Sequence, residues 1–387
     1  MRILLLHSSS DLYGASKIFL QTISILQKKG HECTVVLSNE GPLVEKLAAK
    51  NTKIHIINLG ILRRKYFTPL GLLNRIQKWF AASKQLQKII KTQNINCVYS
   101  NTAAVMIGGW VANKNKIKHI WHIHEIIEKP KFLHLIIKWC MRHWADTIIV
   151  VSKVVQQHWG QGVLVYNGIE SIAVSNKINY REQYHIPKEA LLIGMAGRIH
   201  YWKGQQYFLQ IAKVLLEITK QHKNVNSIKL EKNMEEQAPL YFIISGDPFP
   251  GYEYLLTEMQ NFIQENNLAN RVFYIGFENE MDCFYRSIDM LVLPSQLPDP
   301  LPTVVLEAMQ YGLPVIATAQ GGALEMVVDD TTGIFIPMND YEKAANKIIT
   351  ILPEAIRKKM GENAKQRVAT HFGKDVFEEK MADIFQA

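Results

Sequence analysis

Short, nearly continuous apolar runs recur along this chain, each followed by a loop and a helical pattern. Residues 2–8 form the first run. After a loop at 9–13, residues 14–27 carry Ile18, Phe19, Thr22, Ile23 and Leu26 on one face, and Gly30 stops the pattern. The unit then repeats, with strands at 34–37, 54–58, 97–100, 117–121, 147–151 and 163–166 and helices at 45–50 and 72–91. Strands without polar alternation are buried on both faces, which calls for a parallel sheet covered by helices. A second series begins after Asn167 and Gly168. Its strands lie at 191–196, 241–245, 272–275, 290–293, 315–317 and 334–336, its helices at 205–216 and 253–266 and from Tyr341 onward, and a polar mixed-charge stretch occupies 217–239. The class is α/β, and 387 residues call for two domains. Such sheets bind ligands at the carboxyl ends of their strands.

Composition narrows the chemistry. The four cysteines, Cys33, Cys97, Cys140 and Cys283, are scattered without a CxxC pair or zinc spacing, which suits a reducing cytoplasm. The opening residues read as a strand rather than a signal peptide, and no run of 18 apolar residues would span a bilayer. The net charge of +9 is unevenly placed. Between Glu45 and Glu125 there is no acid, against 14 Lys and Arg. A solvated basic face and attraction to an anionic surface, membrane or acceptor, both fit. No nucleic-acid-binding motif accompanies the charge, so no nucleic-acid partner is expected.

Four segments can carry chemistry. Residues 197–204 (GRIHYWKG) join a strand to a helix. Gly197 lets the backbone approach a ligand, and Arg198 and Lys203 can clamp a diphosphate, although a basic surface loop would look the same. Residues 299–307 (DPLPTVVLE) follow the strand ending near Pro294 and Ser295. Pro302 suits a helix start, the N–H groups of Thr303 and Val304 offer an anion site, and Glu307 lies one turn inside. Its carboxylate can accept two ribose hydroxyls, and it can also be a solvated helix acid. Residues 121–125 (WHIHE) end a strand, but no third ligand makes His122 and His124 a metal site. Gly14 marks the first strand-to-helix turn, without a GxGxxG pattern.

The succession Gly-Arg-(four)-Lys-Gly at 197–204, Ser-Gly-Asp at 245–247, Tyr-Ile-Gly-Phe at 274–277, Leu-Pro-Ser at 293–295, Glu-Ala-Met at 307–309, 312–318 (GLPVIAT), and Gly321-Gly322 with Glu325 resembles the retaining glycosyltransferases of family 4. The resemblance runs over nearly the whole chain. It implies a GT-B architecture, two facing Rossmann-like doubly wound domains with an inter-domain cleft. Residues 1–168 would be the acceptor domain and 169–368 the nucleotide-sugar donor domain, with 369–387 as a helix crossing back onto the first. It implies catalytic roles for His122, Arg198, Lys203, Asp299 and Glu307. Glu307 would hold the ribose, Asp299 the donor sugar, Arg198 and Lys203 the diphosphate, and His122 the sugar from the first domain. Gly14, Gly197, Phe277, Leu301, Thr303 and Val304 would line the donor. The sequence departs from the family at Asp299, where Glu is usual, at Pro302, where Gly is usual, and at Tyr13 beside Gly14.

The expected activity is transfer from a UDP- or GDP-linked sugar to a glycan or lipid-linked acceptor in cell-surface polysaccharide synthesis, in lipopolysaccharide, O-antigen or capsule. Neither metal nor cofactor is expected. The expected location is cytoplasmic, peripheral on the inner membrane face, with 63–67 (RRKYF), helix 72–91 and residues 130–144 as lipid contacts. On that helix the apolar stripe is expected to face the sheet and the lysines to face lipid. A sugar-nucleotide epimerase or hydrolase and a non-catalytic scaffold are the competing readings.

Overall fold

The computed structural model describes residues 1–63, 66–170, 178–225, 238–278 and 280–386, of which 222–225 as backbone alone. Arg64, Lys65 and most of the polar stretch 217–239 lie outside the described residues. The chain divides into two units, Met1–Gly168 with Lys374–Ala387, and Ile169–Gly373.

The first unit runs β1 (Arg2–His7), α1 (Gly14–Lys28), β2 (Glu32–Leu37), α2 (Pro42–Ala48), β3 (Lys53–Ile56), α3 (Pro69–Thr92) and β4 (Cys97–Asn101). It continues with α4 (Met106–Asn115), β5 (Lys118–Ile123), α5 (Lys131–Trp144), β6 (Thr147–Val150), α6 (Lys153–Trp159) and β7 (Val163–Leu164). The seven strands are parallel in the order β3-β2-β1-β4-β5-β6-β7. Strand order reverses between β1 and β4, so the loops after them diverge and leave a crevice. Ile3 and Leu5 of β1 pack one way against Ile18 and Phe19 of α1, joined by Phe377, Met381 and Phe385 from the C-terminal segment. Leu4 and Leu6 pack the other way against Leu86 and Ile90 of α3.

Helix α3 departs from the sequence reading, and α4, α5 and α6 were not part of it. The threonine Thr68 caps α3 by accepting the Gly71 N–H at 3.1 Å. Ala82, Ser83, Leu86, Ile89 and Ile90 are buried, but Leu72, Leu73, Ile76 and Phe80, expected to face the sheet, are 38–55 % exposed. The cause is length. A 24-residue helix rises about 36 Å, and the five-residue β4 beside it covers only about 17 Å. Helices α4 and α5 were not read from the sequence. In α4 the adjacent Gly108 and Gly109 oppose helix formation. They are required by close packing, since a Cβ on Gly108 would lie 1.9 Å from the Ser100 hydroxyl. In α5 Ile137, Cys140 and Met141 are buried while Phe132, Leu135, Ile136 and Trp139 face outward. With apolar residues on both sides, no single stripe marks the inner face.

The second unit runs α7 (Tyr180–Gln183), β8 (Leu191–Ala196), α8 (Gln205–Val225), β9 (Leu240–Ser245), α9 (Glu253–Glu265), β10 (Val272–Tyr274) and α10 (Met281–Ser287). Next come β11 (Met290–Leu293), α11 (Thr303–Gln310), β12 (Val315–Thr318), α12 (Ala323–Met326), β13 (Gly333–Ile336), α13 (Tyr341–Ile349) and α14 (Glu354–His371). The last helix, α15 (Lys374–Gln386), is counted with the first unit. Six parallel strands follow the order β10-β9-β8-β11-β12-β13, with the reversal between β8 and β11. All six residues of β8 are buried, as a central strand covered on both faces requires. Among the described residues no helix is long and apolar enough to cross a membrane.

Candidate functional site

In the second unit the reversal point gathers the motif residues. The loop after β8 carries Gly197, Arg198 and Lys203, and the loop after β11 carries Asp299. The Lys203 ammonium is bonded to the Asp299 carboxylate, and both side chains are largely buried. Lys203 also lies 4.2 Å from the centre of the Trp202 ring, and the Arg198 guanidinium 5.5 Å from that of Phe249. Two glycines allow this approach. At Gly204 (φ +83°) a Cβ would stand 2.0 Å from the Pro294 carbonyl oxygen. At Gly321 (φ +58°) it would stand 2.5 Å from that of Asp299, which accepts the Gly322 N–H at 2.7 Å. The loops after β8, β11 and β12 are thereby held against one another.

Helix α11 opens one residue later than the sequence suggests. Pro302 is the cap rather than the first helical residue, with ψ 106°, and its carbonyl accepts the Val305 N–H at 3.0 Å. Thr303 and Val304 head the helix, where N–H groups have no acceptor within the helix. Glu307 is not a solvated helix acid. It is 6 % exposed, and its Oε2 accepts the Tyr285 hydroxyl at 2.7 Å. Burial, reinforced by the Glu307 charge, holds the Tyr285 pKa well above the usual phenol value, so the phenol remains a donor. Phe277 exposes its ring, whereas the Leu301 side chain is buried.

In the first unit a polar chain gathers at the ends of β1, β4 and β5. Asn101 Nδ2 donates to His7 Nδ1 at 3.0 Å, and His124 Nε2 donates to Asn101 Oδ1 at 2.9 Å. With Nδ1 accepting, His7 donates from Nε2 to the Ser16 hydroxyl at 2.9 Å, which donates to Asp11 at 2.9 Å. Tyr99 donates to Asn101 Oδ1 at 3.3 Å and accepts from His122 Nδ1 at 2.6 Å, and His122 Nε2 is a buried atom with no hydrogen-bond partner among the described residues. His122 is fully buried, and His124, partly exposed just past the strand, packs against it with ring centres 4.2 Å apart. Burial lowers the pKa of His7 to about 4 and of His122 to about 3. It raises that of Glu125, whose Oε2 accepts the Ala103 and His124 N–H groups, to about 6.

Gly14 is the first residue of α1. Asp11 accepts the Tyr13 N–H there at 3.1 Å, so a carboxylate already faces this helix start and opposes an anion at Gly14. Among the described residues no three His, Cys, Asp or Glu side chains are grouped to hold a metal. Sequence reasoning missed Tyr285, Asp11, His7 and Asn101. The last two end apolar runs with a polar residue at a strand's carboxyl end, and that was the available signal.

The family model for Glycosyltransferase Family 4 matches residues 13–171, and that for Glycosyl transferases group 1 matches residues 176–367. The chain belongs to the group 1, family 4 glycosyltransferases. This glycosyltransferase is 22 % identical to an Escherichia coli UDP-Gal:alpha-D-GlcNAc-diphosphoundecaprenol alpha-1,3-galactosyltransferase, over 97 % of this chain and 94 % of the relative. It is 28 % identical to the lipopolysaccharide 1,2-N-acetylglucosaminetransferase of Salmonella typhimurium, over 54 % of this chain and 52 % of the relative. The crystal structure of Anabaena HepE in complex with UDP and glucose superposes with a TM-score of 0.81 at 20 % identity, covering both chains fully (100 % each). The fold of two doubly wound α/β units is thus the GT-B fold.

Proposed function

We propose that this glycosyltransferase moves a sugar, with retention, from a UDP- or GDP-linked donor to a glycan or lipid-linked acceptor in cell-surface polysaccharide synthesis. The observation that carries the reading is the convergence of Lys203, Asp299, Glu307 and the start of α11 on one strand-reversal point. Glu307, positioned by the Tyr285 hydroxyl, meets the ribose hydroxyls. Arg198, Lys203 and the N–H groups of Thr303 and Val304 take up the charge that grows on the departing diphosphate. Positive charge for the leaving group thus comes from the chain itself, without a metal. As the bond from the sugar's anomeric carbon to the diphosphate breaks, the acceptor hydroxyl bonds to that carbon on the same face. Its proton passes to the departing phosphate oxygen.

Asp299 meets the donor sugar. At the end of β5 in the first unit, the rings of His122 and His124 pack against each other, and Tyr99 holds His122. The acid-free interval and the lipid-linked substrate in the name of the E. coli relative favour a peripheral position on the inner face of the membrane. The test is sugar release from labelled UDP- and GDP-sugars with and without a membrane lipid extract. Turnover dependent on the extract, with label entering the lipid or glycan fraction, is expected. Equal turnover without it would favour a hydrolase or epimerase instead.

A further inference from the structure

Three strands of the first unit end together on polar side chains. His7, Asn101 and His122 are register partners across β1, β4 and β5. Side chains two apart along a strand share a face, so Tyr99 and His124 lie on the same side as these three. His7, Tyr99, Asn101 and His122 are all buried. Apolar residues of similar shape could replace such hydrogen-bonded pairs at little cost in stability. A polar cluster kept at the edge where these sheets bind ligands therefore calls for a reason other than packing.

One amide orders the cluster. Asn101 Nδ2 lies 3.2 Å from the Ala15 carbonyl oxygen. A carbonyl can only accept, so the amide NH2 must face it, and the amide cannot be turned over. The same NH2 donates to His7 Nδ1, which puts the His7 proton on Nε2, toward Ser16. On the other side, Asn101 Oδ1 can only accept. It takes the Nε2 proton of His124 at 2.9 Å and the Tyr99 hydroxyl at 3.3 Å. With its own proton committed, Tyr99 accepts from His122 Nδ1 at 2.6 Å. Burial keeps both β5 rings neutral near pH 7, so each carries a single proton. The lone pairs are thereby left on His124 Nδ1 and His122 Nε2. The second is a buried acceptor with no partner among the described residues, a group that native structures rarely retain.

We propose that Asn101 is the positioning residue of this edge: it fixes the tautomers of His122 and His124 together, so that the end of β5 offers a ligand lone pairs and no ring N–H. Such an edge suits hydroxyl donors, as a sugar presents, and gives an oxyanion no ring donor. The Asp11 carboxylate at the start of α1 opposes an anion in the same way. Phosphate recognition then falls to Arg198, Lys203 and the start of α11 in the second unit. The inference rests on the reading that the first unit's strand ends meet the substrate, but the protonation it assigns is readable without any turnover.

The experiment is long-range proton–nitrogen correlation spectroscopy of the full chain with isotope-labelled histidine near neutral pH, with and without inorganic phosphate, alongside transfer kinetics. His122→Gln and His124→Gln assign the rings. The wild type is expected to carry its proton on Nε2 in His124 and on Nδ1 in His122, and phosphate should move neither. Tyr99→Phe should release His122 to a mixture of tautomers and leave His124 as it is. Asn101→Ala should release both rings and lower kcat on the order of 10- to 100-fold through lost orientation, with nucleotide affinity unchanged. A wild-type proton on His124 Nδ1 or His122 Nε2, or phosphate that adds one to either ring, overturns the inference. So does Asn101→Ala turning over at the wild-type rate. Should Asn101→Ala not fold, the wild-type and Tyr99→Phe spectra decide alone. The expected tautomers in a chain that transfers no sugar would support the assignment and sink only the transferase reading.

Discussion

Lys203 and Asp299, 96 positions apart and assigned by resemblance to different parts of the donor, are bonded to each other in a largely buried ion pair. Each therefore sets the position of the other. Removing one partner leaves a poorly solvated charge, so Lys203→Ala and Asp299→Ala are each expected to lower transfer on the order of 100- to 1,000-fold. The double variant should be far less damaging than the product of the two losses. Strict multiplicativity in the rate assay would show that the pair does not act as a unit.

The phenol of Tyr285 is expected to work through Glu307. Tyr285→Phe removes a hydrogen bond to a carboxylate, worth about 1.5–3 kcal/mol, or roughly 10- to 150-fold. The loss should fall on nucleotide affinity, read by calorimetry, with little effect on turnover at saturation. In a Glu307→Gln background, Tyr285→Phe should then cost little more. Unchanged affinity in Tyr285→Phe would remove the phenol from the site.

The two histidines at the end of β5 should separate. His124→Ala, at the partly exposed ring, is expected to cut transfer about 100-fold or more with a melting temperature close to wild type. His122→Ala opens a cavity beside Tyr99 in a fully buried position and should cost about 2–4 kcal/mol of stability. The reverse pattern in paired rate and melting measurements would put His122, not His124, on the substrate.

How legible this was in the sequence depended on whether a residue's role is local. The strands of both sheets were readable because a strand buried on both faces must be apolar throughout, as β8 is. Arg198, Lys203, Asp299 and Glu307 were readable because they follow such strands at fixed spacing. The Tyr285 contact was not, since Tyr285 sits in α10, 22 positions before Glu307, and reads as an ordinary helix aromatic. The chain from Asp11 through His7 and Asn101 to His124 joins three strands remote in sequence. Helix α3 misled because its apolar stripe implied one covered face, and the short strand beside it covers only half the helix.

Acid should destabilise the chain through its buried imidazoles. Burial holds His7 and His119 at about 4 and His122 at about 3, against an ordinary 6.5, and lowers His124 as well. The unfolded chain takes up protons first as pH falls. The stability these rings contribute is therefore complete above about pH 6.5 and is lost toward pH 4 and 3, at up to about 1.4 kcal/mol per unit for each ring. Glu125, raised to about 6, acts oppositely, its contribution fading as pH rises from 4.5 through 6, and one carboxyl does not offset four rings. The melting temperature should drop steadily below about pH 6.5; a flat or rising profile would contradict neutral burial.

The central claim, a nucleotide-sugar site at the β8–β11 reversal point, is tested most directly by thermal shift with a panel of UDP- and GDP-linked sugars on the wild type and Glu307→Ala. At 100 times its dissociation constant a true donor should stabilise the wild type by roughly 2.7 kcal/mol, and Glu307→Ala should lose most of that shift at the same concentration. No shift with any donor, or an undiminished shift in Glu307→Ala, would contradict it.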